Sequence, residues 1–307
     1  MNTWNTRFAL IALFTSWIAG TPLAQAGDWQ FTADASAGAS YDNNVGIEDL
    51  DTNAQEADSI VELSAGGSVS YTPTEQPFSL RVGYDYSGTS HSRFQDFDLD
   101  LHHAVAAIDY RHAGFDAALT FDQYVGVLDG ANYVSISQVS PSIGRLFGES
   151  LYVRAAWLAS TRDYDVLTER SANNSAGRID TYLLFDGLDR YLSLSLQTID
   201  EDARASEFDY EGFKTGVGYT HTFALSSMRL KLKSGLRFED RTYAASAAEG
   251  TDEARTDQRW RATLGAEVPF SEHVSIHGML EHTNNASSLE SARLNKFSAG
   301  LELRVSF

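Results

Sequence analysis

The sequence predicts an all-β fold, a transmembrane antiparallel up-and-down β-barrel of about 14 strands, with about 12 as the alternative count. Three observations carry that expectation. Apolar and polar residues alternate with period two along nearly the whole chain after residue 27, tight turns alternate with longer polar connections, and aromatic residues sit at the ends of the alternating runs. Period two means strands with two unlike faces. Helical periodicity is nearly absent, and beyond Gly27 no apolar stretch approaches the roughly 20 residues of a membrane-spanning helix.

The amino terminus precedes that pattern. Arg7, the apolar run Phe8-Ala9-Leu10-Ile11-Ala12-Leu13-Phe14 and the small-residue site Ala24-Gln25-Ala26 have the order of a secretory leader. Residues 1–26 are therefore expected to be removed, leaving 27–307 as one outer-membrane barrel domain, and the expected location is the outer membrane of a Gram-negative cell. The chain has no Cys, so no disulfide and no lipid anchor on a cysteine is expected.

Alternating runs are read at 29–42, 58–72, 77–90, 97–112, 114–127, 132–146, 149–163, 174–186, 189–200, 207–223, 226–242, 253–270, 273–284 and 290–307. An even number puts both termini at the periplasmic end. The run 132–146 alternates poorly and contains Pro141, which is why the lower count stays open. Tyr41, Tyr71, Phe78, Tyr86, Phe115, Tyr164, Phe185, Phe223, Phe238, Phe270 and Phe307 are read as two interfacial girdles. The segments 42–58, 163–175, 200–210 and 241–257 are read as long acidic external loops.

The last run is the most regular. Phe297, Ala299, Leu301, Leu303, Val305 and Phe307 share one face, and Lys296, Ser298, Gly300, Glu302, Arg304 and Ser306 share the other. It resembles the carboxy-terminal signal of outer-membrane barrel proteins, an amphipathic strand ending on Phe. The resemblance implies that Phe307 is the assembly signal, with the barrel-assembly machinery and outer-membrane lipid as partners.

The net charge of −19 argues against nucleic acid as a partner, because a polyanion is repelled at long range. Extending the alternation inward places Arg229, Lys231, Lys233, Arg237, Arg259, Arg261, Lys296 and Arg304 in the lumen from the last four strands. Asp34, Glu62, Asp85, Asp116 and Asp122 are placed there from early strands. Closure of the barrel would set a basic wall against an acidic wall, a transverse field able to orient a charged or dipolar solute. The competing expectation is that these charges pair locally and fill a narrow lumen.

Asp42 with Glu48, Asp49 and Asp51 offers hard oxygen ligands for calcium, but the spacing is not that of an EF-hand and a solvated loop is the reading adopted. His102, His103, His112, His221, His273, His277 and His282 lack a paired ligand spacing, so neither a metal nor another cofactor is expected. No nucleophile motif suggests catalysis.

Tyr41-Asp42-Asn43-Asn44, after a Gly/Ala-rich first strand and before hairpins that run to a terminal Phe, resembles the carboxy-terminal barrel of surface lipoprotein assembly modifiers and related porin-like barrels. Those modifiers carry a tetratricopeptide domain ahead of the barrel. Here the first strand is expected within a few residues of the cleavage site, so the resemblance implies the barrel alone. Two functions follow: a porin-like channel or exporter for a small or polymeric solute, or a non-conducting barrel whose acidic loops bind a surface partner.

Overall fold

The computed structural model describes residues 27–47, 51–225, 228–246 and 253–307. The predicted leader, 1–26, lies outside them. β1 (Gly27–Asp42) is followed by a two-residue ribbon, β2 (Gly46–Ile47) and β3 (Thr52–Asn53). The wall continues through β4 (Asp58–Pro73), β5 (Phe78–His91), β6 (Leu99–His112), β7 (Phe115–Leu128), β8 (Ala131–Phe147), β9 (Leu151–Tyr164) and β10 (Ala172–Asp186). It is completed by β11 (Arg190–Ala203), β12 (Tyr210–Leu225), β13 (Met228–Ser246), β14 (Ala254–Pro269), β15 (Val274–Ser287) and β16 (Leu294–Ser306). Without the ribbon these strands form a closed barrel in sequence order.

The seam is antiparallel β1 against β16, in register from Asp34 opposite Ser306 to Asp42 opposite Ser298. Phe307 extends it: its N–H donates to the Ala33 carbonyl at 2.8 Å, and its carbonyl accepts from the Ala33 N–H at 3.1 Å. The doubtful run is a full strand, which settles the count in favour of fourteen. Pro141 stands opposite Leu119 of β7. On its other side the ladder to β9 passes from Val139–Ala159 directly to Ser142–Ala156, as expected where a residue has no N–H to donate.

Outward positions between the strand ends are mostly apolar, with Thr215, His221 and Ser234 among the exceptions. Phe213 to Phe223, Trp260 to Phe270 and Phe297 to Phe307 each mark an interval with an aromatic residue at both ends. About ten residues at about 3.4 Å each, tilted about 40°, span about 26 Å, the height of a bilayer's apolar band. Leu264 and Leu301, near the middle of their intervals, are 51% and 61% exposed, which only a lipid surround makes favourable. Tyr164 corrects the predicted girdle. It lies on the inward parity of β9, is buried, and meets Tyr133 edge-on with ring centroids 5.4 Å apart.

Above the upper girdle the strands continue with polar residues on the outer face too, among them Thr256 and Gln258 on β14, Asp240 on β13 and Asp200 and Asp202 on β11. Three of the four segments read as long acidic loops are therefore about half strand; the connections 165–171 and 204–209 remain, and 247–252 lie outside the described residues. The alternation ended where the outer face left the apolar band, not where the strand ended. One external connection is only Asp129-Gly130, with φ of 49° and 73°, the two left-handed residues of a tight hairpin turn. Residues 43–57 are the one predicted loop that remains long.

Candidate functional site

Inward residues are those opposite in parity to the apolar belt, and the register fixes them around the whole ring. All of the residues proposed for the two walls stand on this face. Asp34 lies on β1, Glu62 on β4, Asp85 on β5, and Asp116 and Asp122 on β7. Arg229, Lys231, Lys233 and Arg237 lie on β13, and Arg259 and Arg261 on β14. Lys296 and Arg304 also point inward, but on β16, beside the acidic strand β1. They are neutralised in place, Lys296 by Asp42 at 2.7 Å and Arg304 by Glu302 at 3.2 Å.

The basic arc is wider than the sequence reading made it. Arg154 and Arg162 on β9, Arg178 on β10 and Lys214 on β12 extend it, with Arg241 and Arg255 higher on β13 and β14. The signal was present: Val153, Ala155 and Trp157 alternate outward, which turns Arg154 inward. The arc's carboxylates are shared among several cations. Asp180, only 2% exposed, takes Arg154 and Arg178, each at 2.9 Å. Glu239 takes Arg241 at 2.6 Å and Lys214 at 3.1 Å, with Arg259 at 4.0 Å.

Across the lumen the acids accept mostly from neutral or weakly basic partners, although Arg111 of β6 stands opposite Asp116 and Arg81 of β5 also has the inward parity. His103 is set between Asp122 at 2.9 Å and Asp85 at 3.4 Å and stacks on Tyr124 with centroids 4.3 Å apart. Asp116 accepts a hydrogen bond from the Tyr152 hydroxyl, and Glu62 accepts one from Ser40. The charge is thus segregated by arc, while many individual groups also pair with neighbours, so both sequence expectations are present in one wall. A cavity of about 890 Å³ runs along β1, β4 and β14–β16, with Asp34, Glu62 and Lys233 in its lining. A second, of about 350 Å³, lies against β10–β14 and is bordered, among the described residues, by Arg178, Lys214, Arg237, Arg241, Arg259 and Arg261 with Glu239 as its one carboxylate.

The loop 43–57 crosses the external mouth. Val45, 1% exposed, anchors its base, its N–H bonded to the Glu56 carbonyl at 3.0 Å and its carbonyl to the Ala54 N–H at 2.7 Å. Asp51 takes a two-pronged contact from Arg255 at 2.7 and 3.1 Å and a third bond from Arg170 at 3.1 Å. Arg170 sits in the β9–β10 connection, half-way round the ring from β1. Asn53 Nδ2 donates weakly to the carbonyls of Ser291 and Arg293 at 3.4 and 3.3 Å. Arg255 is also held by Asp257 at 2.7 Å and lies over Tyr243 at 4.2 Å. Below it Ala176, Ile199, Tyr210 and Tyr243 form a small apolar cluster inside the barrel. The space left among Asp51, Arg170, Tyr210 and Arg255 is about 30 Å³, room for about one water. Burial of Asp51 disfavours its charge, but the hydrogen bonds and charges of Arg255 and Arg170 outweigh it and hold the carboxyl below its ordinary value of 3.8.

Two of the four acids considered for calcium are engaged elsewhere, Asp42 by Lys296 and Asp51 by the two arginines, and two, Glu48 and Asp49, lie outside the described residues. Among the described residues no group of three His, Cys, Asp or Glu side chains is arranged to hold a metal.

A closed fourteen-strand barrel with an apolar belt and a charged interior defines an outer-membrane β-barrel of porin-like fold. Comparison with solved structures agrees. OmpT of Vibrio cholerae lacking loop L8 aligns with a TM-score of 0.57 at 11% identity, over 92% of this chain and 100% of that one. The outer membrane channel DcaP of Acinetobacter baumannii aligns at 0.53 and 10% identity over 94% and 100%. The anion-selective porin from Comamonas acidovorans aligns at 0.51 and 11% identity over 92% and 100%. At such identities the likeness carries the barrel fold, and it adds nothing to the narrower resemblance to surface lipoprotein assembly modifiers. No known family profile matches the chain. No curated protein matches it either.

Proposed function

We propose that this protein is an outer-membrane channel that passes a charged or polar solute, without covalent change, through a lumen with an acidic arc facing a basic one. The observation that carries the reading is the segregation itself. Asp34, Glu62, Asp85, Asp116 and Asp122 lie on β1–β7, while Arg178, Lys214, Arg237, Arg259 and Arg261 lie on β10–β14. A field across a low-dielectric passage orients a dipolar solute and raises the local concentration of the matching ion. Loop 43–57 serves as the external lid of this passage, latched by Asp51.

The test is single-channel conductance of the refolded protein in a planar bilayer, with reversal potentials under a salt gradient. Steady conductance whose selectivity moves toward cations in Arg259→Gln/Arg261→Gln supports the channel. The latched loop favours one other reading, a non-conducting barrel that presents its external surface to a partner. A folded barrel that conducts neither as wild type nor after removal of the Asp51 latch would establish that reading instead.

A further inference from the structure

The channel reading leaves its solute open, and one stretch of the basic arc narrows it. Arg237 and Arg261 stand directly opposite each other on β13 and β14, a like-charge pair at the closest cross-strand position. Arg261 is partly compensated, by Glu281 at 3.4 Å and the Thr283 hydroxyl at 3.2 Å. Arg237 has no hydrogen-bond or ion-pair partner among the described residues. Cations placed opposite one another in a sheet repel, and an unpaired guanidinium inside a lumen lacks a counter-charge. Such a pair is stabilised by an anion between the two forks.

The surroundings provide room and hydroxyls for one. Two cavities, of about 350 and 260 Å³, meet at this point, and Arg178, Ser195, Arg237 and Arg261 line both; Asp180, which holds Arg178 at 2.9 Å, also lines the lower one. The lower one is open because the inward position beside Arg237 is Gly216 and those one step beneath are Gly218 and Gly235. A β-carbon at Gly216 would lie 2.8 Å from Ser195 Oγ and 3.4 Å from Arg237 Cγ, and one at Gly235 would lie 2.7 Å from Thr263 Oγ1. Glycine therefore keeps a floor of hydroxyls exposed under a roof of guanidinium groups. Each cavity is near the lower end of the about 300–1,000 Å³ range of small-molecule sites, and the mixture of forks and hydroxyls suits an oxyanion carried on a polar body.

We infer that Arg178, Arg237 and Arg261, with the hydroxyls of Ser195 and Thr263, form a subsite for the oxyanion group, carboxylate or phosphate, of a small solute. The inference rests on the channel reading for its role in transport but not for the binding itself, and the experiment separates the two. Titration calorimetry on the folded, detergent-solubilised barrel at low ionic strength would use inorganic phosphate, succinate and uncharged glucose as probes. The same preparations are then examined for conductance.

Phosphate or succinate is expected to bind and glucose not to. Arg237→Gln should weaken binding about tenfold, the loss of one charge-assisted bond. Arg237→Lys, which keeps the charge without the fork, should fall between. Arg204→Gln, in an external connection and paired with Asp163 at 3.5 Å, should bind as wild type. The tighter of the two probes names the oxyanion. Should Arg237→Gln not fold, Arg261→Gln is read in its place. Binding that is absent for both anions, or equal in wild type and variants, overturns the subsite even in a protein that conducts. Binding in a barrel that never conducts supports the subsite and overturns the channel.

Discussion

At the end of the barrel where Gly27 and Phe307 lie, strands finish with Phe223, Phe270 or Phe307 facing outward, and turns such as Ala113-Gly114 have left-handed residues at both centres. At the opposite end the same strands rise past the upper girdle with polar residues on both faces, and a loop spans the mouth to be held by Asp51, Arg170 and Arg255. The lower part is stabilised by its solvent, since apolar side chains face lipid and the closed ladder pairs most of the backbone groups. The upper part stands in water, gains nothing from its outer face, and is ordered by charge pairs across the lumen and the small apolar cluster beneath them.

That contrast is broken most directly on one strand and one face. Leu264→Arg, near the bilayer midplane, should cost about 2–4 kcal/mol of folding free energy in lipid vesicles, and Leu301→Arg a similar amount. Gln258→Arg, also outward on β14 but above Trp260, should cost near zero, and Thr263→Arg, inward, should be milder than Leu264→Arg. Reversible denaturant titrations in vesicles measure all four. Equal costs at 258 and 264 would place the upper strands in the bilayer and remove the distinction.

The same contrast explains what was legible in the sequence. Where one face meets lipid and the other water, every residue reports its side, so the strands, the seam and the inward charges could be assigned by counting. Arg237 and Arg261 follow from Leu236 and Ala262. Above the band both faces meet water and the pattern vanishes, so stretches such as Asp200–Ala203 of β11 looked like loop. Asp51 gave no local signal either, because its partners lie 119 and 204 residues away. Tyr164 was misassigned for a related reason: at a strand end an aromatic residue fits a girdle or an inward packing contact equally well until parity is applied.

The latch allows the next test. Asp51→Ala removes the acceptor of three guanidinium bonds and leaves Arg255 with Asp257 alone. It should release the loop at a cost of about 1.5–3 kcal/mol, the range for a hydrogen bond to a charged group. Limited proteolysis within 43–57 should accelerate, and conductance should rise if the loop is the lid. Unchanged cleavage would mean that Val45 and the β2–β3 ribbon hold the loop without Asp51. Deleting Phe307 is a smaller change, removing two seam hydrogen bonds at about 1 kcal/mol each in a ladder that continues through Ser306. A loss of outer-membrane assembly beyond that cost, scored by heat-modifiable migration, would support the terminal residue as an assembly signal.

The smallest expected effect is that of mild acid on the latch. Asp51 has a depressed pKa in the folded protein, so its contribution to stability is fully present above the unfolded value of 3.8 and declines as pH falls from there through the lower folded value. Between pH 7 and about 4.5 the rate of proteolysis within 43–57 should therefore stay flat, using an acid-tolerant protease calibrated on an unfolded substrate. The rate should climb only below the unfolded value, and Asp51→Ala should show neither the plateau nor the climb, its loop being already released. A rise in cleavage between pH 7 and 5 would mean that a group titrating there, not the Asp51 carboxylate, holds the mouth closed.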